Sequence, residues 1–447
     1  MQRYEKYKDS GVEWIGEIPE GWEVKRLKYV ADANPSNIDK KNKEGEEIVY
    51  LCNYVDVYKN EFITSDLPFM KATAKKEQIV KFRLNKGDVI ATKDSESPDD
   101  IGVPALVITD FSNVVCGYHL IHINPKMIHG DYLFRMFQTK YLKSYFEVSA
   151  KGITRYGLGV DKFNSALVLY PPPQEQTAIT NYLDRKTAAI DRLIARKERL
   201  IELYKEEKTA IINQAVTKGI NSDAKLKDSG INWLGEIPEK WRVKRLRYVG
   251  HCQNGVSKGA DYFGSGFPFV SYGDVYNNIA LPLNVDGSAK STIADQKTYS
   301  VIRGDVFFTR TSETIEEIGF ASTCMKTIEN AIFSGFLIRF RPFSDKLFEG
   351  FSKYYFRSQL HRFFFVKEMN LVTRASLSQE LLKKLPVLLP PIPEQYKIAD
   401  YLDNKMKAIN AKIEKTKKII ELQKEYRTAL ISEVVTGKIK VTQESAS

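Results

Sequence analysis

Cysteine is scarce and badly spaced for chemistry. The chain of 447 residues holds four, at Cys52, Cys116, Cys252 and Cys324, and none forms a CxxC pair. That spacing excludes a zinc ribbon or a disulfide framework and leaves reduced, mostly buried thiols. Long apolar runs are missing too. No stretch approaches the roughly 18 residues of a membrane span, and residues 1–6 (MQRYEK) are charged where a signal peptide would begin its apolar core. A cytoplasmic protein without membrane contact is predicted. Nucleotide signatures are also absent. Thr436-Gly437-Lys438 lacks both the upstream glycine and the following Ser/Thr of a phosphate-binding loop. Gly157-Leu158-Gly159 is too short for a dinucleotide fingerprint. There is no Asn-Pro-Pro-Tyr motif of the kind an adenine methyltransferase needs. Acidic residues form no nuclease cluster, and Glu23-Val24-Lys25 is an isolated ExK. Among His119, His122 and His129 the first two fall on opposite faces of a strand, which argues against a metal site. No catalytic, cofactor-binding or metal residue is predicted in this chain.

What is present is positive charge and repetition. Lysine and arginine number 67 against 56 acidic residues, a net charge of +11 and a pI near 9.1. A surplus of this sign favours polyanionic partners, because phosphate neutralisation releases counterions. The repeat is plain. Residues 8–30 (KDSGVEWIGEIPEGWEVKRLKYV) return at 227–249 (KDSGINWLGEIPEKWRVKRLRYV), with 17 of 23 positions identical at an offset of 219. At the same offset Pro171-Pro172-Pro173-Gln174-Glu175-Gln176 returns as Pro390-Pro391-Ile392-Pro393-Glu394-Gln395, and Tyr182-Leu183-Asp184 as Tyr401-Leu402-Asp403. The middles, about 31–166 and 250–385, have diverged. They share only landmarks: Lys86-Gly87-Asp88-Val89 with Arg303-Gly304-Asp305-Val306, Tyr54-Val55-Asp56-Val57 with Tyr272-Gly273-Asp274-Val275, and Thr154-Arg155 with Thr373-Arg374. Two domains of one fold whose middles read different things follow from this pattern.

After each proline-rich start comes a long run, 175–216 and 394–435, without proline or glycine. Apolar residues recur at spacings of three, four and seven, which draws one stripe along a helix. At 1.5 Å per residue each helix is about 60 Å long. Neither buries such a stripe alone, so the two should pair as a coiled coil. Lys186, Lys197, Glu207 and Lys405 break the strict heptad and should leave apolar surface for partners, with Leu193, Leu200, Tyr204, Ile413 and Ile420 as candidates. The middles read as mixed α and β. Strands are predicted at 48–57, 88–92, 105–108, 119–123, 267–272, 305–309 and 336–340, with aromatic-rich helices at 132–146 and 347–365.

Two polar loops in each middle are candidate recognition surface. After the Gly-Asp-Val strand come Lys93 and Ser95 in the first middle, and Arg310, Thr311 and Ser312 in the second. Before each long helix come Lys151, Thr154 and Arg155, then Thr373 and Arg374. Basic side chains pair with guanine edges or phosphates, and hydroxyls meet either. The bland alternative for each is a solvated turn.

The DSG-x-x-W-x-GEIPE-x-W blocks, the PPPQEQ and PPIPEQ starts, and the long helices ending in VTKGI and VTGKI resemble type I restriction-modification specificity subunits along essentially the whole chain. The resemblance implies an α+β architecture: two homologous mixed α/β target-recognition domains separated by two long, antiparallel, coiled-coil-like helices. Boundaries follow at 1–173 for the first head, 174–218 for the first helix, 219–392 for the second head, 393–438 for the second helix and 439–447 for a flexible tail. It implies that each head reads half of an asymmetric bipartite site in double-stranded DNA. It also implies that the helices set the spacer and dock methyltransferase subunits, two in number, with two restriction (nuclease-translocase) subunits joining. S-adenosylmethionine, ATP and Mg would belong to those partners. Two alternatives stay open: a specificity subunit for a fused nuclease-methyltransferase partner, and a coiled-coil scaffold that does not bind DNA.

Overall fold

In each repeat the opening block is pinned to the end of its own head by one pair of strands. Glu23–Arg26 pairs antiparallel with Leu167–Tyr170, Arg26 opposite Leu167. Arg242–Arg245 pairs antiparallel with Pro386–Leu389, Arg245 opposite Pro386. Both strands have moved by the same sequence offset, so the repeat is one of register as well as of residues. The structure, a computed structural model, describes residues 2–312, 317–368 and 375–441. Its contacts divide the chain into two compact units: Met1–Glu198 with Lys418–Ser447, and Arg199–Lys417.

The first unit holds a five-stranded sheet in the order Ala31–Pro35, Leu120–Pro125, Val89–Thr92, Pro104–Val107, Phe62–Ile63. Its pairs are antiparallel except the last, which is parallel. A second sheet orders Val114–Cys116, Glu47–Cys52 and Met70–Ala74. Between them lies a core of Val49, Leu51, Ile90, Ala105, Val107, Val115 and Leu120, each at most 1% exposed. The second unit repeats this with a four-stranded sheet, Gly250–Asn254, Leu337–Pro342, Val306–Thr309, Ala321–Thr323, and a three-stranded one, Ser288–Ala289, Phe263–Val270, Ile332–Phe333. All four cysteines are free; three are buried and Cys252 is half-buried.

Two predicted strands end early. The strand expected over 48–57 stops at Cys52, and Tyr54–Lys59 is helical. A capping box explains it: the Asn53 amide donates to the Asp56 carboxylate at 2.8 Å. The strand expected over 267–272 likewise gives way to the helix Tyr272–Asn277, boxed by Ser271 and Asp274. The helix expected over 132–146 is two, Gly130–Phe137 and Lys140–Ser149, because Thr139 caps the second by accepting from the Leu142 amide.

The long helices run Pro173–Lys218 and Ile392–Val435. In the second unit they lie antiparallel: Lys412 Nζ stands 5.5 Å over the Tyr204 ring, and Lys208 reaches Asn410 at 2.8 Å. In the first unit Arg427 holds Asp191 at 2.9 Å. Along the second helix Leu402, Met406, Ile409, Ile413, Thr416 and Ile420 are all buried. Alternate spacings of four and three residues are the seam of a coiled coil. Leu183, Thr187, Ile190, Ile194 and Ile201 continue the same phase on the first. Lys186, Glu207 and Lys405 point to solvent, off that seam; Lys197 sits in it, half-buried.

Each long helix ends on a glycine in the left-handed region, Gly219 at φ 74° and Gly437 at φ 72°. A Cβ at 437 would stand 2.5 Å from Pro19 and 3.2 Å from Trp22, so strain and crowding both require glycine there. Part of the expected tail is packed: Ile439 and Val441 are buried, and Lys440 bridges to Gln2. Residues 442–447 lie outside the described residues.

Candidate nucleic-acid interface

The Gly-Asp-Val landmark builds a platform rather than a contact. Asp88, 6% exposed, accepts from the Asn85 amide at 2.8 Å and meets His122 Nε2 at 2.8 Å. Asp305, fully buried, accepts from the Ile302 amide at 2.9 Å and from Arg341 at 2.6 and 2.7 Å. A carboxylate that staples its own turn and is paired inside the sheet is a scaffold element. His122 is therefore committed to Asp88. Among the described residues no group of three or more metal-ligating side chains forms, and no helix is long and apolar enough to cross a membrane.

The strand after the landmark ends on Thr92 or Thr309, and each hydroxyl holds the loop that follows. Thr92 Oγ1 donates to the Asp100 carbonyl at 2.6 Å, and Thr309 Oγ1 to the Glu317 carbonyl at 3.4 Å. The carboxylates of those same residues accept from tyrosines: Tyr58 to Asp100 at 3.0 Å, Tyr276 to Glu317 at 2.8 Å. Each tyrosine stacks on another, Tyr54 on Tyr58 at 5.6 Å and Tyr272 on Tyr276 at 5.7 Å between ring centres. Two middles with little sequence in common thus carry the same latch on the same loop.

Beyond the latch the two candidate loops of each head come together. Asp94–Ser95 pairs with Tyr156–Gly157, which pairs with Lys151–Gly152. In the second head Thr311–Ser312 pairs with Ala375–Ser376. Lys93 and Arg310 occupy equivalent places. The Lys93 amide donates to His119 and its carbonyl accepts from Leu158; the Arg310 amide donates to Phe336 and its carbonyl accepts from Leu377. Loops some 60 residues apart in sequence thereby share one small sheet.

In the first head three side chains converge on Asp94. Lys93 Nζ lies 2.9 Å from Oδ2; His119 Nδ1 and Arg155 Nη2 lie 2.6 and 2.8 Å from Oδ1. Tyr118 packs on His119 with ring centres 4.1 Å apart and lies under Lys93. Burial opposes ionisation of Asp94, yet Lys93, His119 and Arg155 together hold its carboxyl below the usual range. Burial, aided by Arg155, pushes the His119 imidazole down against the pull of Asp94.

Of the residues picked from sequence, Lys151 and Thr154 are exposed, Arg155 is 55% exposed and Lys93 is 19% exposed at its side chain. Ser95 is buried and accepts from the Tyr54 hydroxyl at 3.1 Å, a place in the frame. Arg310 is half-buried and reaches the Gly335 carbonyl at 3.4 Å; Thr311 is half-buried. Ser312 lies in the strand opposite Ala375. Thr373 and Arg374 lie outside the described residues. On the helices Leu193 is exposed, Leu200 and Tyr204 are half-buried, and Ile413 and Ile420 lie in the buried seam. Sequence reasoning passed over Asp94, which stands between two chosen residues, and over His119, Phe336 and the tyrosine pairs. Exposed Leu203, Leu422 and Tyr426 were also missed; they lie off the stripe that periodicity selects.

Comparison with known proteins finds the same repeat. The family described as "Type I restriction modification DNA specificity domain" matches residues 19–203 and again 238–424. The putative type I restriction enzyme MjaX specificity subunit of Methanocaldococcus jannaschii is 24% identical over 441 residues, 96% of each chain. The EcoKI specificity subunit of Escherichia coli K12 is 23% identical over 407 residues, 86% of this chain and 82% of that one. Among solved structures, a chain from work on complex assembly and conformational transition of the type I R-M system superposes with a TM-score of 0.65 at 17% identity, covering 94% of this chain and 99% of that one. The HsdS subunit of Thermoanaerobacter tengcongensis gives 0.54 at 16%, covering 94% and 98%. With the specificity domain matched twice, at the offset that the sequence repeat and the strand register both keep, the chain belongs to the type I restriction-modification specificity subunits and carries two target-recognition domains.

Proposed function

We propose that each unit's head reads one half of an asymmetric, bipartite site in double-stranded DNA, and that the long helices set the spacer and dock two methyltransferase subunits. Adenine methylation is then directed by this chain and carried out by those partners. Two nuclease-translocase subunits join the same assembly for restriction. S-adenosylmethionine, ATP and Mg serve the partners' chemistry; this chain is the non-catalytic reader and works in the cytoplasm. One observation carries the reading. Each head presents, on the same latched frame, a small sheet made from the two loops with the right chemistry for DNA, and the side chains on that sheet differ between heads. A shared frame suits a common partner, the duplex, and differing side chains suit two different half-sites. The net charge of +11 agrees with a polyanion. Exposed Leu193, Leu203, Leu422 and Tyr426 on the helices offer apolar contact to docked subunits.

The test is methylation mapping. The chain is co-expressed with its methyltransferase subunit in a methylation-free host, and modified adenines are mapped across the genome. A split asymmetric motif is expected, with one half lost when residues 31–166 are exchanged and the other when 250–385 are. A stable complex that modifies nothing sinks the reading. Within this scheme Arg310→Ala weakens recognition of one half-site only, by about 1–3 kcal/mol if the guanidinium meets a guanine. Equal loss at both half-sites would mark misfolding or general backbone binding instead.

A further inference from the structure

The residue that precedes the second strand of each head's larger sheet occupies one structural position with two chemistries. In the first head it is His119, in the second Phe336. Their carbonyls accept from the amides of Lys93 and Arg310, and the strands that follow pair in the same register, Leu120 opposite Thr92 and Leu337 opposite Thr309. The backbone there differs. His119 sits in the left-handed region at φ 74°, where few residues other than glycine are at ease, and Phe336 does not. The fold therefore does not impose that conformation. It belongs to the first head and swings the imidazole onto Asp94 and against Arg155. Strain kept at one head and absent from the other points to a function of that head.

We infer that this is a base-reading position, at which the first head reads a guanine through Arg155 braced by Asp94 and His119, and the second reads the methyl group of a thymine through Phe336. The inference rests on the proposed DNA-reading function and assigns base identity to it. Arg155 uses Nη2 on Asp94, and its side chain is 55% exposed. The remaining guanidinium donors have no partner among the described residues. In the major groove only guanine offers two acceptors side by side, N7 and O6; adenine offers one acceptor and one donor and would leave the fork mismatched. A carboxylate beside DNA is repelled by phosphate unless it is covered. Asp94 is covered by Lys93, His119 and Arg155, so it acts as a positioning residue that fixes the fork. Phe336 is 61% exposed and can donate no hydrogen bond. Thymine alone carries a methyl group in that groove, and an aromatic edge is a suitable partner for it.

The experiment compares the wild-type complex with Arg155→Ala, Asp94→Asn and Phe336→Ala by the same methylation mapping. Arg155→Ala should relax one G·C position of one half-site by roughly tenfold to a hundredfold and leave the other half-site as it was, which shows that the variant is folded. Asp94→Asn should relax the same position to a lesser degree. Phe336→Ala should relax one A·T position in the opposite half-site. On a duplex carrying the mapped site, deoxyuridine in place of that thymine should weaken wild-type binding severalfold and leave Phe336→Ala unchanged. An even loss across every position of a half-site, or a motif unaltered in the variants, overturns the inference while the reader function stands. A wild-type complex that gives no split motif overturns both.

Discussion

Seven residues inserted into each long helix at facing points, beside Tyr204 and Lys412, should lengthen the DNA spacer by about three base pairs and leave both half-sites unchanged. The reasoning is geometric. Those residues face each other across the helix pair, with Lys412 Nζ 5.5 Å over the Tyr204 ring. The buried positions Leu402, Met406, Ile409, Ile413, Thr416 and Ile420 recur at four and three. A heptad restores that seam on the far side of the insertion, whereas four residues alone would introduce a stutter and unwind the pair. Seven residues at 1.5 Å add about 10 Å, close to three steps of a duplex that rises about 3.4 Å per base pair. The heads and their reading sheets are untouched, so the sequences of the half-sites have no reason to change. Methylation mapping reads the outcome directly. A spacer of unchanged length, with methylation intact, would mean that the helices do not act as the ruler. Inserting a heptad in one helix only should instead abolish the motif, because the seam is then out of step on one side.

Much of this frame was legible before any coordinates. The repeat gave two equivalent heads because its offset is carried into strand pairing: Arg26 faces Leu167 as Arg245 faces Pro386. The long helices were legible because nothing in them competes with helix, and their stripe is periodic. The predicted strands 48–57 and 267–272 ran into the short helices Tyr54–Lys59 and Tyr272–Asn277. Valine and tyrosine favour strand in isolation, but the Asn-x-x-Asp and Ser-x-x-Asp boxes decide the matter locally. The site was half legible. Both loops were chosen on composition, yet their union is a long-range pairing that no local pattern encodes. Asp94 by itself carries no signal for DNA contact. Its role depends on Lys93, His119 and Arg155, which only the fold brings to it. Ser95 was chosen for its hydroxyl, and the fold spends that hydroxyl on Tyr54.

Trp22→Ala should cost the first unit about 3–5 kcal/mol of stability, the range for deleting a buried aromatic. Trp22 is 1% exposed. It packs edge-on to Tyr4 at 5.9 Å between ring centres, and a Cβ on Gly437 would lie 3.2 Å from its ring. Its indole Nε1 donates to Glu175 at 2.9 Å, and the Tyr4 hydroxyl donates to the same carboxylate. One side chain thus joins the opening hairpin, the start of the first long helix and the end of the second, all within that unit. Trp241 is its repeat mate and is fully buried, but its Nε1 meets no acceptor among the described residues. Residue 4 is tyrosine and its mate, residue 223, is aspartate, so the second junction lacks the matching phenol. The comparison separates packing from hydrogen bonding. Trp22→Phe and Trp241→Phe remove similar volume, but only the first leaves a half-buried carboxylate short of a donor. Trp22→Phe should therefore cost about 1–2 kcal/mol more than Trp241→Phe. Scanning calorimetry of the single variants, with hydrogen exchange to assign each transition to residues 1–198 or 199–417, measures the difference. Equal losses for the two phenylalanine variants would show that Glu175 contributes nothing through the indole and that the junction is held by packing alone.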